Sequence, residues 1–346
     1  MRLFQTSQKT LPASILVSVF LVMVLSMALS CQKESKQTTR LKPYIIELPS
    51  SFPRLEFPED NQPYVERIAL GRKLYYDSAL SNDGRACASC HIQALGFTKS
   101  SQNVTPVLHH ANLAWKNRYM WDGSQSGSLE EVMYFEVTEF FNTNVSKFNS
   151  HPEYPALFEE AYNSSTITAE DLAKALAQFV RTLISANSKY DQVMSGQASF
   201  TELEAKGHSI FTGERGSCYH CHIPPLFTDN RVHNTGLDST YEIPANQGYF
   251  QSSGDSSHLG HMRTANLRNI GLRSSFMHDG RFNDLKQVLE HYSNGVKQSP
   301  SLDPVMIKSN GSAKLHFTTE EIEALEAFLN TLTDSTFISN PELSEA

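Results

Sequence analysis

Apolar residues recur at helical spacing in two distant segments of the chain, and both segments start with the same capping signal. The first follows Thr168, with Asp171 three positions later, and the second follows Thr318, with Glu321 three positions later. Large apolar side chains then return every three or four residues, which predicts an amphipathic helix with one buried face. The positions are Leu172, Leu176, Phe179, Val180 and Leu183 in the first segment and Ile322, Leu325, Phe328, Leu329 and Leu332 in the second.

Other short strings also repeat between the two halves. Gly71–Tyr75 and Gly207–Phe211 each precede a cysteine motif, and Met120–Gly123 and Met277–Gly280 each follow one. Long β-type alternation is missing, whereas loops with Gly and Pro are plentiful. The pattern therefore predicts an all-α fold that arose by duplication, with a small helical domain in each half.

The two cysteine motifs, Cys87–His91 and Cys218–His222, both read CxxCH, the attachment signature of a c-type haem. Two thioethers fix the porphyrin, and the adjacent His reaches the iron. A zinc site made of CxxC pairs is the alternative, but it leaves both following His residues unexplained. The attachment residues are Cys87, Cys90, Cys218 and Cys221, and the proximal ligands are His91 and His222.

The fifth cysteine, Cys31, ends an apolar run at the N-terminus. Residues 1–31 resemble a bacterial lipoprotein signal whose cleavage makes Cys31 the lipidated N-terminus. An uncleaved anchor helix is the alternative. Either reading predicts a periplasmic protein attached to a membrane. Residues 32–62 are polar and contain Pro, which indicates a tether.

The charge balance narrows the range of partners. The net charge of −8, without a basic cluster, argues against nucleic acid. We expect the charge to support solubility, with a docking face for a redox partner as the alternative.

Beyond the motifs, an ordered set of strings between about Phe57 and Leu332 resembles the bacterial di-haem cytochrome c peroxidases and their relatives, the MauG proteins. The resemblance implies two tandem cytochrome c-like domains, each wrapped around one covalent haem, over residues 63–195 and 196–335. It also implies a peroxide-reacting N-terminal haem and an electron-exchanging C-terminal haem. The strings are Leu70–Tyr75, Trp121–Gly123, Phe227–Asp229, His233–Leu237, Arg263–Asn269 and Met277–Phe282.

The resemblance also implies which residue ligates the C-terminal iron opposite His222. The family places Met there in typical peroxidases and Tyr in the MauG group, and the matching residue is Tyr292. A thioether favours ferrous iron, whereas a phenolate favours higher oxidation states. The alternatives are His291, Met277 and Met306.

For the N-terminal haem, typical peroxidases carry a labile His in the loop after the motif. Residues 92–105 contain no His, so we expect an iron open to peroxide. His109 and His110 follow this loop, and we expect them to pack in the core.

The family uses a Glu as the acid/base for peroxide cleavage and a Trp between the haems. Glu136 and Glu139 are the candidate acids, although a shifted register puts Asn142 at that position. Trp121 matches the Trp. The family also tends to hold a calcium ion, for which Asn103 and the carbonyls near Arg273 and Ser275 are the candidate counterparts.

The resulting hypothesis is a di-haem peroxidase-like oxidoreductase that reacts with hydrogen peroxide. Its electrons come from a small cytochrome c or a cupredoxin, or else it oxidises a protein side chain as the MauG group does. The alternative from a different class is a di-haem cytochrome that only transfers electrons.

Overall fold

The computed structural model describes residues 40–345. These residues form short α-helices that are joined by long loops. From Leu41 onward these residues form one compact unit. None of the helices within residues 40–345 is both long and apolar enough to cross a membrane. The helices are α1 (Val65–Tyr76), α2 (Leu129–Phe135), α3 (Ser146–Asn149), α4 (Tyr154–Tyr162), α5 (Ala169–Arg181), α6 (Lys189–Met194), α7 (Glu202–Thr212), α8 (Phe250–Ser253), α9 (Leu285–Glu290), α10 (Thr319–Asn330) and α11 (Ser335–Ile338).

Sheet structure is confined, within the described residues, to antiparallel pairs of two-residue strands and isolated bridges. Strand β1 (Arg118–Tyr119) pairs with β2 (Gln125–Ser126), and β3 (Val232–His233) pairs with β4 (Met262–Arg263). The prediction of a predominantly helical chain is therefore confirmed. Cys31 and the rest of the predicted signal lie outside the described residues.

Both predicted capping boxes are confirmed. The Thr168 side chain accepts a hydrogen bond from the Asp171 backbone amide, and the Asp171 carboxylate accepts one from Thr168 N at 3.0 Å. Thr318 and Glu321 make the same pair of bonds at the start of α10. These bonds satisfy backbone amides that a helix leaves unpaired at its N-terminus.

The same close helix crossing occurs once in each half. Helix α1 packs on α5, and a Cβ atom at Gly71 would lie 1.9 Å from the Ala175 carbonyl oxygen. Helix α7 packs on α10, and a Cβ atom at Gly207 would lie 1.9 Å from the Ala324 carbonyl oxygen. A side chain at either position would push the helices apart, so the two glycines set the interhelical distance.

The buried apolar residues form two main clusters that follow the two halves of the sequence. Phe97 and Leu176 belong to the first cluster, and Phe211 and Phe328 belong to the second. The segment after α10 crosses to the other cluster, because Phe337 and Leu343 are buried in the first one.

Polar contacts hold this returning segment in place. The Arg72 guanidinium donates to the carbonyl oxygens of Ser344 and Pro341, at 2.6 and 2.9 Å. The Tyr76 hydroxyl donates to Leu343 O at 2.6 Å. The segment therefore acts as a strap across the first half.

The described part of the predicted tether packs against the first half. Asn61 is fully buried, and its Nδ2 donates to Glu130 Oε1 at 2.7 Å. Phe52 is also buried, with its ring 5.3 Å from that of Trp115. Individual side chains anchor this segment without any apolar periodicity, which is why the sequence pattern gave no sign of it.

We expect Gly207→Ala to destabilise the protein by roughly 1–3 kcal/mol, because the added methyl group overpacks the α7–α10 crossing. Chemical denaturation of the haem-loaded protein measures the change. Ser209→Ala is the control, since Ser209 lies on the exposed face of the same helix. Equal stability of the two variants would contradict the role of this crossing.

Candidate functional site

The second CxxCH motif opens into a cavity in the C-terminal half. Cys218 begins a short 3₁₀ turn, and Cys221 and His222 follow it directly. All three side chains line the cavity. Apolar side chains of helices α7, α9 and α10 form the walls, namely Phe211, Leu285, Val288, Leu289, Leu325 and Leu329.

The two motif histidines share one hydrogen-bond arrangement. His91 Nδ1 lies 3.1 Å from Phe97 O, and His222 Nδ1 lies 3.0 Å from Phe227 O. Burial lowers the pKa of His91 to about 4 and also lowers the pKa of His222. Both imidazoles are therefore neutral at pH 7, with the Nδ1 hydrogen on the carbonyl and the Nε2 lone pair left for a metal.

The donor set in each half fits a covalently attached haem. The four motif cysteines are free thiols, so none is withdrawn into a disulfide. A neutral imidazole follows each pair, and the cavity around the second motif is mostly apolar. These are the groups that would hold a c-type haem by two thioethers and one axial nitrogen.

Several candidates for the second axial ligand line the C-terminal cavity. Tyr292, Met277 and Met306 all do so. Burial raises the pKa of the Tyr292 phenol, and electrostatic interaction with Cys221 and Cys218 adds to the rise. His291 is held elsewhere, because its Nε2 lies 3.1 Å from the Thr235 carbonyl oxygen.

The two candidate glutamates occupy different environments. Glu136 is the first residue of a π-helical turn, Glu136–Phe140, and its charge acts on Cys87 of the first motif. Burial raises the pKa of Glu136 to about 7. Glu139 and Asn142 are exposed. The structure thus brings Glu136, rather than the other two, towards the first motif.

Glu136 and Tyr292 hold corresponding places in the two halves. Glu136 follows the N-cap residue Ser128 by eight positions, and Tyr292 follows the N-cap residue Asp284 by the same interval. Each lies in a π-helical turn that continues a short α-helix. Such turns are common at functional sites because they displace side chains from the regular helical positions.

The histidines after the first loop pack in the core, and one of them touches the first motif. The His110 ring stacks on the His91 ring at a centroid distance of 3.4 Å. His110 Nδ1 lies 3.0 Å from the Tyr75 hydroxyl. His109 Nε2 lies 2.9 Å from the Asn266 carbonyl oxygen.

Trp121 connects the first half with the C-terminal cavity. Its ring lines the cavity, and its Nε1 donates to Pro106 O at 2.9 Å. Its carbonyl oxygen accepts a hydrogen bond from Arg263 N at 2.8 Å. Asn103 lies at an exposed position, where its Oδ1 accepts a hydrogen bond from Asn283 Nδ2 at 3.2 Å.

Sequence reasoning missed two charged groups near the cavity. His233 lies between Asp229 and Asp303, with nitrogen to oxygen distances of 2.8 and 2.6 Å. Burial opposes its charged form, but these two hydrogen bonds, together with an interaction with Cys221, raise the pKa of His233 to about 12. The sequence offered one indication of a role for His233, namely that it lies in the His233–Leu237 string on which the family resemblance rests.

The second group comprises three buried cations, Lys116, Arg263 and Arg273. The sequence offers little sign of their burial, because lysine and arginine are usually exposed. A comparison of the repeats gives one signal, since Lys116 follows Asn112 by the same interval as Arg273 follows Asn269.

Known proteins resemble this chain over most of its length. Residues 65–199 match the family model of the di-haem cytochrome c peroxidases. The methylamine utilization protein MauG of Methylorubrum extorquens is 32% identical, with 82% of each chain covered. The cytochrome-c peroxidase IdrP2 of Denitromonas iodatirespirans is 28% identical, with 80% of this chain and 83% of that protein covered.

A solved structure agrees with these sequence relationships. It is that of a MauG-like protein associated with microbial copper homeostasis, which is 30% identical and superposes with a TM-score of 0.76. The match covers 87% of this chain and 99% of that one. The chain therefore belongs to the di-haem cytochrome c peroxidase and MauG family and is a peroxidase-like oxidoreductase that uses c-type haems.

Proposed function

We propose that the two halves divide the reaction between them. Hydrogen peroxide reacts at a haem held by Cys87, Cys90 and His91, and electrons are exchanged through a haem held by the second motif. One observation carries the proposal: corresponding places hold a half-buried carboxyl group, Glu136, in the first half and a half-buried phenol, Tyr292, in the second. A carboxyl group transfers protons, whereas a phenol serves as an axial ligand.

Each half is proposed to be a cytochrome c-like domain wrapped around its haem, over residues 63–195 and 196–335. The two apolar clusters support this division. The strap, which follows residue 335, would then complete the core of the first domain although it lies outside residues 63–195.

In the N-terminal half, the bound haem supplies the redox chemistry of peroxide reduction. Glu136 would take a proton from one oxygen of the peroxide and deliver it to the other. A carboxyl group with a pKa of about 7 suits both steps, because it accepts and releases a proton near neutral pH. The loop of residues 92–105 has no His that would compete for the peroxide position.

In the C-terminal half, Tyr292 is the residue that would bind the iron of the second haem together with His222, since both line the same cavity. A hard, anionic phenolate lowers the reduction potential of the iron relative to a thioether. The indole of Trp121 provides the aromatic link between the halves. Tyr292 favours oxidation of a protein substrate over simple turnover with a small cytochrome c or cupredoxin as the donor.

Two further assignments rest on the sequence alone. We infer a periplasmic location and attachment through lipidated Cys31 from the resemblance of residues 1–31 to a lipoprotein signal. A bound calcium ion follows from the family resemblance, and elemental analysis of the purified protein tests it. A calcium content of zero would remove that assignment.

We expect Glu136→Gln to slow the reaction with peroxide by roughly 10²–10⁴-fold, because the proton transfer is lost. In the wild type, the rate constant should rise with pH through about 7, where Glu136 becomes a base. Stopped-flow measurements between pH 5 and pH 9 record both effects. Glu139→Gln is the comparison, and loss of the pH dependence in that variant instead would assign the role to Glu139.

We expect Tyr292→Phe to convert the C-terminal haem from low spin to high spin, because the axial oxygen is removed. Tyr292→Met should restore six-coordination and raise the reduction potential of that haem. Electron paramagnetic resonance and spectroelectrochemistry measure these changes. A Tyr292→Phe spectrum identical to that of the wild type would transfer the ligand role to Met277 or Met306.

We expect Cys31→Ser to release the protein from membranes into the soluble periplasmic fraction, because the lipid attachment site is lost. Cell fractionation followed by haem staining measures the distribution. Retention of the variant on membranes would favour the anchor-helix alternative.

A further inference from the structure

Three cationic side chains are buried without a carboxylate to balance their charge. Lys116, Arg263 and Arg273 are 7%, 4% and 9% exposed. None of the three takes part in an ion pair within residues 40–345, whereas Arg181, Arg268 and Arg281 each pair with a carboxylate there. Arg268 provides the contrast, because it is equally buried but forms a two-fold ion pair with Asp191 at 2.7 Å.

The missing partners make this arrangement unfavourable for the protein alone. Burial lowers the pKa of Arg263 and of Arg273 to about 10, and the charge of Arg263 adds to the effect on Arg273. Burial also lowers the pKa of Lys116, and the charges of the two arginines add to this effect. Buried charges of one sign need a counter-charge, and the described chain does not supply it.

Buried hydrogen-bond donors without an acceptor lie in the segment that contains the two arginines, residues 263–273. Arg273 Nη2 is buried without an acceptor. Asn266 Nδ2 is also buried without one, and its backbone oxygen contacts His109, on which both arginines act electrostatically. Unpaired buried donors are rare in folded proteins, so their concentration here indicates an absent acceptor.

The three cations either line the C-terminal cavity or act electrostatically on histidines at the first haem motif. Arg263 and Arg273 line the C-terminal cavity. The charge of Arg273 also acts on His91 in the first half. Lys116 acts on His109 and on His110, which stacks on His91.

We propose that Lys116, Arg263 and Arg273 form one carboxylate-binding cluster for the haem propionates, with the arginines serving the C-terminal haem and Lys116 the N-terminal haem. Each haem carries two propionate groups, which supply the counter-charge and the acceptors that the chain lacks. A planar guanidinium binds a carboxylate through paired hydrogen bonds. The inference rests on the two-haem assignment of the proposed function.

The same cluster would couple the haem potentials to protein charge. An uncompensated propionate stabilises ferric iron, so loss of a cation should lower the reduction potential of the neighbouring haem. Spectroelectrochemistry of the haem-loaded protein should show at least a tenfold fall in the ratio of reduced to oxidised C-terminal haem for Arg273→Gln, at fixed ambient potential. This corresponds to about 59 mV for a one-electron couple. Lys116→Gln should act mainly on the N-terminal haem.

A second measurement reports on the propionates directly. The propionate bending bands in the resonance Raman spectrum should shift in Arg273→Gln and return towards their wild-type position in Arg273→Lys, which keeps the charge. Arg215→Gln is the matched control, because Arg215 is 41% exposed and already paired with Glu321. It should leave the bands and both potentials unchanged.

Each remaining outcome decides the question. Unchanged potentials and bands in both Gln variants would overturn the cluster, as would an equal effect of Arg215→Gln. The reduction potentials of the wild type could also change when the buffer anion is changed from chloride to phosphate. That result would show that the cluster binds a free anion and not the propionates. If Arg273→Gln fails to fold, Arg273→Lys and Lys116→Gln still test the proposal. Mass spectrometry counts the covalent haems separately, so a failure of the two-haem assignment is recognised on its own.

Discussion

The hydrogen bond from each motif histidine to a phenylalanine carbonyl is the constraint on which the haem sites depend. It fixes the tautomer and the direction of Nε2 at His91 and at His222. The acceptor residues, Phe97 and Phe227, both have a positive φ, 58° and 52°, which turns the carbonyl towards the imidazole. Both phenyl rings are fully buried in the core of their own half. Core packing therefore positions each metal ligand, and the energy that maintains the unusual backbone comes from the burial of the rings.

A shared scaffold with one exchanged side chain explains how a duplicated fold can perform two tasks. Both halves use a short helix, a π-helical turn and a residue eight positions after the N-cap. Low polarity around this position favours the neutral form of either side chain. For Glu136 this shifts proton exchange into the neutral pH range. For Tyr292 it means that the phenol loses its proton only when a positive charge, such as that of a metal ion, stands beside it.

Local signals in the sequence were sufficient for the helices and for the haem motifs. Thr168 and Thr318 predicted helix starts because a capping box depends on residues only three positions apart. The choice between Glu136 and Glu139 could not be made in this way, since the π-helical turn changes which side chains face inward. The burial of Lys116, Arg263 and Arg273 was also beyond the sequence, because it depends on contacts between distant segments. The burial of Asn61 could not be predicted from the sequence for a related reason, because hydrogen bonds to single side chains leave no periodic pattern.

The strap that carries Phe337 and Leu343 into the first core has a consequence for the order of folding. Residues 63–195 include the first haem motif and most of the apolar cluster around it, but this cluster closes only when residues more than 140 positions further along the chain reach it. Domains usually fold in the order of their synthesis. Here the first core would stay open on the side that Phe337 and Leu343 cover until the second half has been made.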